Sequence, residues 1–343
     1  MQIASIPLKN NLFLAPMAGI TDRPFRTLCK NLGAGYAVSE MISSNSNLRN
    51  TKKTQFKSDH TGEKPPIAVQ ITGTSPAEMA QVAGYSIDHG AQIIDINMGC
   101  PVKKVCQKWA GSALMQNEKL ALKIIEAVVK IGQANHVPVT LKMRTGWDEK
   151  HKNAPALAVA AEQLGIAMLT VHGRTREQKY QGNAEYQTIA QIKQQLSIPV
   201  VANGDIDSPQ KAKIVLEQTG ADALMIGRAA QARPWIFNEI HHYLQTGELL
   251  PNPSTEDVLF WILNYLHEHY TFYGEYIGVR QARKHIAWLI QGLPDAASFR
   301  QQINQVELAE EQSNLLEQYI HQIKQLYPRW PVPSGKITPS ITQ

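Results

Sequence analysis

From residue 12 to 247 the chain alternates short apolar, β-branched runs with longer amphipathic ones. The short runs are FLAPM (13–17), GYAVSEM (35–41), IAVQIT (67–72), QIIDIN (92–97), PVTLKMR (138–144), AMLTVH (167–172), IPVVAN (198–203) and ADALMIG (221–227). Their length and composition predict buried strands. Between them, PAEMAQVAGYSIDHG, EKLALKIIEAVVKIG and PQKAKIVLEQTG carry a helical period, and several such stretches close on glycine. Eight strands alternating with helices over about 240 residues is the size and order of an α/β (β/α)8 TIM barrel. A doubly wound sheet usually has fewer strands, and no G-x-G-x-x-G follows the first one.

After Leu250 the pattern changes. PNPST is a proline-rich break with a cap-like Ser254 or Thr255, and no strand-like alternation follows it. Four helices are predicted, about 255–273, 276–292, 296–306 and 307–327. The expected organisation is a barrel over 1–249, a small all-α helical bundle over 250–327, and a tail over 328–343 without regular structure.

Composition narrows the class. The chain has 343 residues and 43% hydrophobic content, enough for a substantial core. It holds no run of 18 apolar residues, so no membrane span is expected. The start, MQIASIPLKNN, lacks a charged region followed by an apolar one, which argues against secretion. Three cysteines without C-x-x-C spacing argue against a disulfide framework or a metal site, and a cytoplasmic location is expected. The net charge of +5 is uneven. Residues 1–249 hold 27 Lys+Arg against 20 Asp+Glu, or +7, and residues 250–343 hold 7 against 9, or −2. Either the basic front part meets an anionic partner, or it is an ordinary solvated surface.

Barrel enzymes keep their chemistry at the C-terminal ends of the strands. Those ends carry Pro16, Met17 and Ala18, then Ser39 to Met41, Gln70, Asn97 to Cys100, Lys142 and Arg144, His172 to Arg174, Asn203, Gly204 and Asp205, and Gly227 with Arg228. Alternation lets Leu141 and Met143 face the helices while Lys142 and Arg144 point inward. Inward cations are costly without an anion, which is either an internal carboxylate such as Asp95 or a bound anionic cofactor. Barrels often hold a phosphate where the loops after strands 7 and 8 meet a helix, and Gly204, Gly227 and Arg228 suit that place. Cys100 stands in a polar loop before a proline. It is a candidate nucleophile or proton donor, and no Cys-His-Asn arrangement supports a hydrolase. Cys29 reads as a small core hydrophobe, and Cys106 receives no role.

Taken together, APMAGITDRPFR, QIIDINMGCPVKKV, LKMRTGW, VHGRTR, ANGDI and MIGRAA resemble the bacterial tRNA-dihydrouridine synthases, nearest to the B type, also called NifR3-like. The resemblance covers nearly the whole barrel. It implies FMN-dependent reduction of the uridine C5–C6 bond in the tRNA D-loop, at position 17, with NADPH, or NADH, as the electron donor. It further implies FMN contacts from Pro16, Met17, Ala18, Gln70, Lys142, His172, Asn203, Gly204, Asp205, Gly227 and Arg228. Cys100 would be the proton donor, and Asn97 and Arg144 would lie near the uracil. In YIGVRQARKHIAWL, Arg280, Arg283 and Lys284 share one helix face, either as a solvated surface or, by the resemblance, as a tRNA-recognition stripe. A monomer is expected. The rival reading is an FMN barrel reductase of a free small molecule, similar to dihydroorotate dehydrogenase. It leaves the helical appendage and the basic front part unexplained.

Overall fold

The computed structural model of the chain describes residues 1–48, 51–106 and 110–331. Its contacts divide it into two compact units, Met1–Gly227 and the residues from Arg228 onward.

The first unit is a parallel barrel. Its strands are β1 (Leu12–Leu14), β2 (Tyr36–Ala37, resuming at Ile42–Ser43), β3 (Ala68–Thr72), β4 (Ile93–Met98), β5 (Val139–Arg144), β6 (Met168–His172), β7 (Val200–Asn203) and β8 (Ala223–Ile226). Every neighbour pairs parallel, and β8 returns to β1. The stretch expected as one strand over 35–41 is broken. Val38 bridges to Ala68 and the Ser39 N–H donates to the Ala68 carbonyl, after which the chain bends and resumes pairing at Ile42. The bend lets the Glu40 carboxylate accept from the Gly19 N–H and face Lys57 at 3.8 Å.

Helices α1 (Arg23–Asn31), α2 (Lys52–Ser58), α3 (Pro76–Asp88), α4 (Lys103–Cys106), α5 (Glu118–Ala134), α6 (Ala154–Gln163), α7 (Gln187–Gln195) and α8 (Pro209–Thr219) alternate with the strands. Five of them start on a side-chain cap that accepts a backbone N–H three residues on: Asp22, Thr51, Ser75, Asn117 and Ser208.

Inward-facing positions change character along the barrel. At the N-terminal end Phe13, Tyr36, Ala68, Ile93, Met168, Val201 and Ala223 form one apolar cluster. A hairpin that periodicity did not predict, Gln2–Ile3 with Ile6–Pro7, adds Ile3 and Leu8 to that cluster. Two residues further along the same register stand Gln70, Asp95 and Thr170, and beyond them Asn97 and His172. One end is a dry plug, and the other is a polar mouth.

The second unit is all helical: α9 (Arg228–Ala232), α10 (Ile236–Thr246), α11 (Thr255–Tyr273), α12 (Glu275–Leu289), α13 (Ala296–Ile303) and α14 (Ala309–Leu326). It begins earlier than the expected boundary at 249. The reason is packing, because the Trp235 ring lies 5.8 Å from Trp261 on α11, so α10 joins the helices beyond the proline break. Ser254 caps α11 in a reciprocal box with Asp257.

The expected unstructured tail also needs correction at its start. The Trp330 N–H donates to the Pro253 carbonyl at 2.9 Å, Arg329 bridges to Ser254, and Trp330 is buried. The large aromatic surface removed from water and these backbone pairings offset part of the cost of ordering the segment. Residues 332–343 lie outside the described ones.

Candidate active site

The C-terminal ends of β3 to β7 bring the polar residues of the first unit together. In the ladder, Gln70 lies beside Asp95, Asn97 beside Lys142, Arg144 beside His172, and His172 beside Asn203. Parallel pairing places laddered residues on the same side of the sheet, which is why the period-two positions converge.

Lys142 does not pair with Asp95. Its Nζ donates to Asn203 Oδ1 at 3.0 Å, while Asp95 accepts from Gln70 Nε2 at 2.7 Å and Thr140 Oγ1 at 2.6 Å. Asn203 Nδ2 donates to the Met225 carbonyl, so its oxygen faces the amine. Burial pulls the Lys142 amine down to about 8, and the like charge of Arg144 adds to that. An ammonium at a barrel mouth with one neutral acceptor retains most of its demand for an anion.

Arg144 is almost fully buried and binds three carbonyls: Gly99 through Nε at 2.7 Å, and Thr175 and Lys179 through Nη1 at 2.8 Å each. Burial lowers it to about 10. The expected uracil contact is therefore also a staple that ties the Cys100 loop to the loop after β6. These bonds use Nε and Nη1, and the guanidinium lies 5.5 Å from the Tyr180 ring centroid.

Cys100 is half-buried, and both its backbone groups are held. Its N–H donates to Asn97 Oδ1 at 3.0 Å, and its carbonyl accepts from Ser112 Oγ at 2.8 Å. Gly111 makes this approach possible. It adopts φ +62°, and a Cβ there would lie 2.9 Å from the Cys100 oxygen. Cys106, given no role by the sequence, places Sγ 3.5 Å from that same carbonyl and 3.4 Å from Ser112 Oγ. Burial raises the Cys100 thiol, and Arg144 and Lys142 only partly oppose this. The thiol therefore stays protonated at neutral pH, as a proton donor requires. Cys29 is fully buried, in agreement with its reading as a core hydrophobe.

The remaining candidates fall into three groups. Pro16, Met17 and Ala18 follow β1, with the Met17 N–H held by Thr21 Oγ1 at 2.7 Å, and a Cβ at Gly227 would lie 3.5 Å from Met17 Sδ. Gly204 adopts φ +128°, and a Cβ there would lie 2.7 Å from Ala184 Cβ, so no other residue fits. The Asp205 carboxylate faces the protein, bound by Arg174 at 2.9 and 2.5 Å and by the Ala184 N–H at 2.8 Å. These bonds leave less of the carboxylate for a ligand.

In the second unit, Arg228 opens α9, and Arg280, Arg283 and Lys284 lie on α12. The expected cationic stripe is partly engaged. Arg280 pairs with Glu307 at 3.0 Å and stacks on Tyr276 at 3.8 Å, and Arg283 donates to the Val306 carbonyl.

Sequence reading passed over Thr140 and Ser112, and it named Arg174 at a strand end without giving it a role. Thr140 was accessible, since it stands two positions before the inward Lys142. Ser112 left no periodic signal, because it reaches Cys100 from a short 3-10 segment, Gly111–Gln116. Among the described residues no group of three or more His, Cys, Asp or Glu could hold a metal ion, and no helix is long and apolar enough to cross a membrane.

The sequence model of the dihydrouridine synthase (Dus) family matches residues 13–325. A protein of Xanthomonas axonopodis pv. citri described as tRNA-dihydrouridine synthase B is 57% identical over 319 residues, 93% of this chain and 95% of that protein. One of the same description from Pseudomonas aeruginosa is 55% identical over the same shares. Among solved structures, a variant of NCR from Zymomonas mobilis superposes with a TM-score of 0.50 at 15% identity, over 76% of this chain and 93% of that one, a likeness of fold alone. On the family match and this identity over nearly its whole length, the chain belongs to the dihydrouridine synthase family.

Proposed function

We propose that the protein is a tRNA-dihydrouridine synthase, an oxidoreductase that uses FMN and NADPH to reduce the C5–C6 bond of uridine 17 in the D-loop, acting in the cytoplasm as a monomer. The observation that carries this reading is the Cys100 loop, with a thiol kept protonated by burial and clamped at both backbone groups beside two inward cations. FMN suits the residues present. Lys142 is a cation whose hydrogen bond goes to a neutral amide oxygen, Asn203 and Gln70 hold neutral polar groups in set orientations, and Gly204 keeps the backbone after β7 open.

Lys142, Gln70, His172 and Asn203 would hold the ring, with Pro16, Met17 and Ala18 beside it and Gly204, Gly227 and Arg228 toward the phosphate. Asp205 would contribute through its backbone. When bound, FMN supplies a hydride to C6 of the uracil. Cys100 gives its thiol proton to C5, and the backbone clamps keep that proton over the ring. Arg144 and Asn97 would orient the base, which must leave its stack to enter. NADPH oxidation by the purified yellow protein should accelerate when unmodified tRNA is added. Oxidation indifferent to tRNA would favour a small-molecule reductase.

Lys142→Met retains the stem and removes the charge. Flavin retention after dialysis, read as the flavin-to-protein absorbance ratio, should fall about tenfold or more, the worth of one charge-assisted contact. The amine titrates near 8, so the wild-type protein should also hold flavin less well as pH rises past that value. Full occupancy in the variant would remove Lys142 from the cofactor site.

The helical unit would grip tRNA through Arg280, Arg283 and Lys284. An exposed ion pair such as Arg280–Glu307 is worth about 1 kcal/mol or less, so Arg280 can exchange it for a phosphate. Arg280→Ala with Arg283→Ala should weaken tRNA binding and lower the slope of log affinity against log salt by about one unit per lost contact. Lys324→Ala, which removes the partner of Glu256 on α11, is the control. Equal binding by all three proteins at every salt concentration would move recognition to the barrel.

A further inference from the structure

Beneath the Cys100 loop, four polar side chains form one continuous line of hydrogen bonds. Thr140 Oγ1 donates to Asp95 Oδ1 at 2.6 Å, and Gln70 Nε2 donates to Asp95 Oδ2 at 2.7 Å. Gln70 Oε1 accepts from Asn97 Nδ2 at 2.7 Å. Asn97 Oδ1 then accepts from the N–H groups of Gly99 and Cys100 at 3.1 and 3.0 Å. Asp95, Gln70 and Thr140 are all but sealed from solvent, at 2%, 1% and 0% exposure.

A buried carboxyl group is an expensive way to fill a barrel. One layer toward the plug, the same inward register is filled by Ala68, Ile93 and Met168. What Asp95 adds is direction. A primary amide has a donor end and an acceptor end of nearly the same shape, and either can face a neighbour. An ionised carboxylate only accepts. Set at the base of the line, it makes Gln70 present its NH2, which turns the Gln70 oxygen to Asn97. Asn97 must then present its own NH2 there, and its oxygen is left for the two backbone N–H groups. Burial pushes the carboxyl group up, while its bonds to Thr140 and Gln70 and the charge of Lys142 oppose that rise.

We propose that Asp95 is a positioning residue that acts on Cys100 through Gln70 and Asn97, setting the sense of both amides and thereby fixing the loop that carries the thiol. The importance of that loop rests on the reading of Cys100 as proton donor. The hydrogen-bond relay itself does not.

The test is the rate at which iodoacetamide alkylates Cys100, resolved from Cys29 and Cys106 by mass spectrometry. Asp95→Asn retains the volume and removes the acceptor-only end. The Cys100 loop should loosen, and alkylation should rise about tenfold, the factor one hydrogen bond to a charged group carries. The double variant Asp95→Asn/Asn97→Asp places the acceptor-only group at the loop instead. The two bonds of Gln70 can then re-form with donor and acceptor exchanged, while Thr140 and the N–H groups of Gly99 and Cys100 still donate, and alkylation should return toward the wild-type rate. Thr140→Val removes one donor from Asp95 but leaves the Gln70–Asn97 branch, and should change Cys100 far less.

Wild-type alkylation in Asp95→Asn overturns the proposal, and so does a double variant no closer to wild type than the single one. If Asp95→Asn does not fold, a folded double variant with a wild-type rate still supports the relay. Failure of both to fold counts against it, because Asp95 would then hold the barrel rather than the thiol. The readout is thiol chemistry and not turnover. A wild-type protein that reduced no tRNA would sink the functional reading and leave this comparison standing.

Discussion

Replacing Cys100 with alanine should abolish uridine reduction while the protein retains its flavin and its tRNA-free NADPH oxidation. The thiol is half-buried in a loop held from both sides, and burial keeps it protonated against the pull of Arg144 and Lys142. A positioned general acid contributes about 10²–10⁴-fold, and alanine leaves no group to replace it at C5. Neither backbone clamp depends on the Sγ atom, because Asn97 and Ser112 bind the Cys100 N–H and carbonyl. The loop should therefore persist in the variant, and the loss should fall on one chemical step. Rapid-mixing measurement of flavin reduction by NADPH and of flavin reoxidation by tRNA separates the two half-reactions. Parallel loss of both would mean that Cys100 supports the cofactor site and not the protonation.

The second large effect concerns stability and lies away from the barrel mouth. Glu63 is sealed at 1% side-chain exposure against Arg26 at 2% and Lys30 at 7%. Arg26 binds it with Nε at 3.0 and 3.1 Å and with Nη2 at 2.5 Å, Lys30 Nζ adds a bond at 2.9 Å, and His60 Nδ1 stands at 3.4 Å. Burial alone would raise the Glu63 carboxyl, but its bonds to His60 and Arg26 and the charges of Arg26 and Lys30 hold it far below the usual range. Lys30 is itself pulled down by burial. Glu63→Gln would strand two buried cations, and breaking one side of such a cluster costs about 3–5 kcal/mol. The contribution also has a definite pH dependence. A folded-state pKa below the unfolded value near ~4.3 stabilises fully above that pH, and the stabilisation drains away as pH falls below it. Urea unfolding should show the wild-type protein losing this advantage below about pH 4.3, while the Gln variant, lacking the titrating group, starts lower and responds less. A loss at neutral pH under about 1 kcal/mol, the worth of a solvated pair, would show that water reaches the cluster.

Much of the architecture is legible in local sequence. Buried parallel strands need β-branched apolar runs on both faces, and such runs stand within a residue or two of where six of the eight strands form. The four helices from Thr255 to Leu326 follow from period and capping in the same way, with Ser254 as the cap. The inward placement of Lys142 and Arg144, and the convergence of Gln70, Asn97, His172 and Asn203, needed only strand alternation and the rule that barrel sites gather at strand ends. Composition alone would not have singled out Cys100, but its place one loop past β4 did.

Partner choice is another matter, since it is decided by distances between residues far apart in the chain. Asp95 and Lys142 are both inward-facing and opposite in charge, yet the ladder sets Asp95 against Gln70 and Thr140, and Lys142 reaches Asn203 across 61 positions. The Asp205 carboxylate is turned away by an arginine 31 positions earlier, and Trp330 is ordered by a carbonyl at Pro253. The helices before the proline break join the second unit because Trp235 meets Trp261. Periodicity records whether a side chain leaves water, which each residue decides with its near neighbours. Which group a buried polar atom meets depends on the closed barrel, where a bond of 2.6 Å forms and one an ångström longer does not.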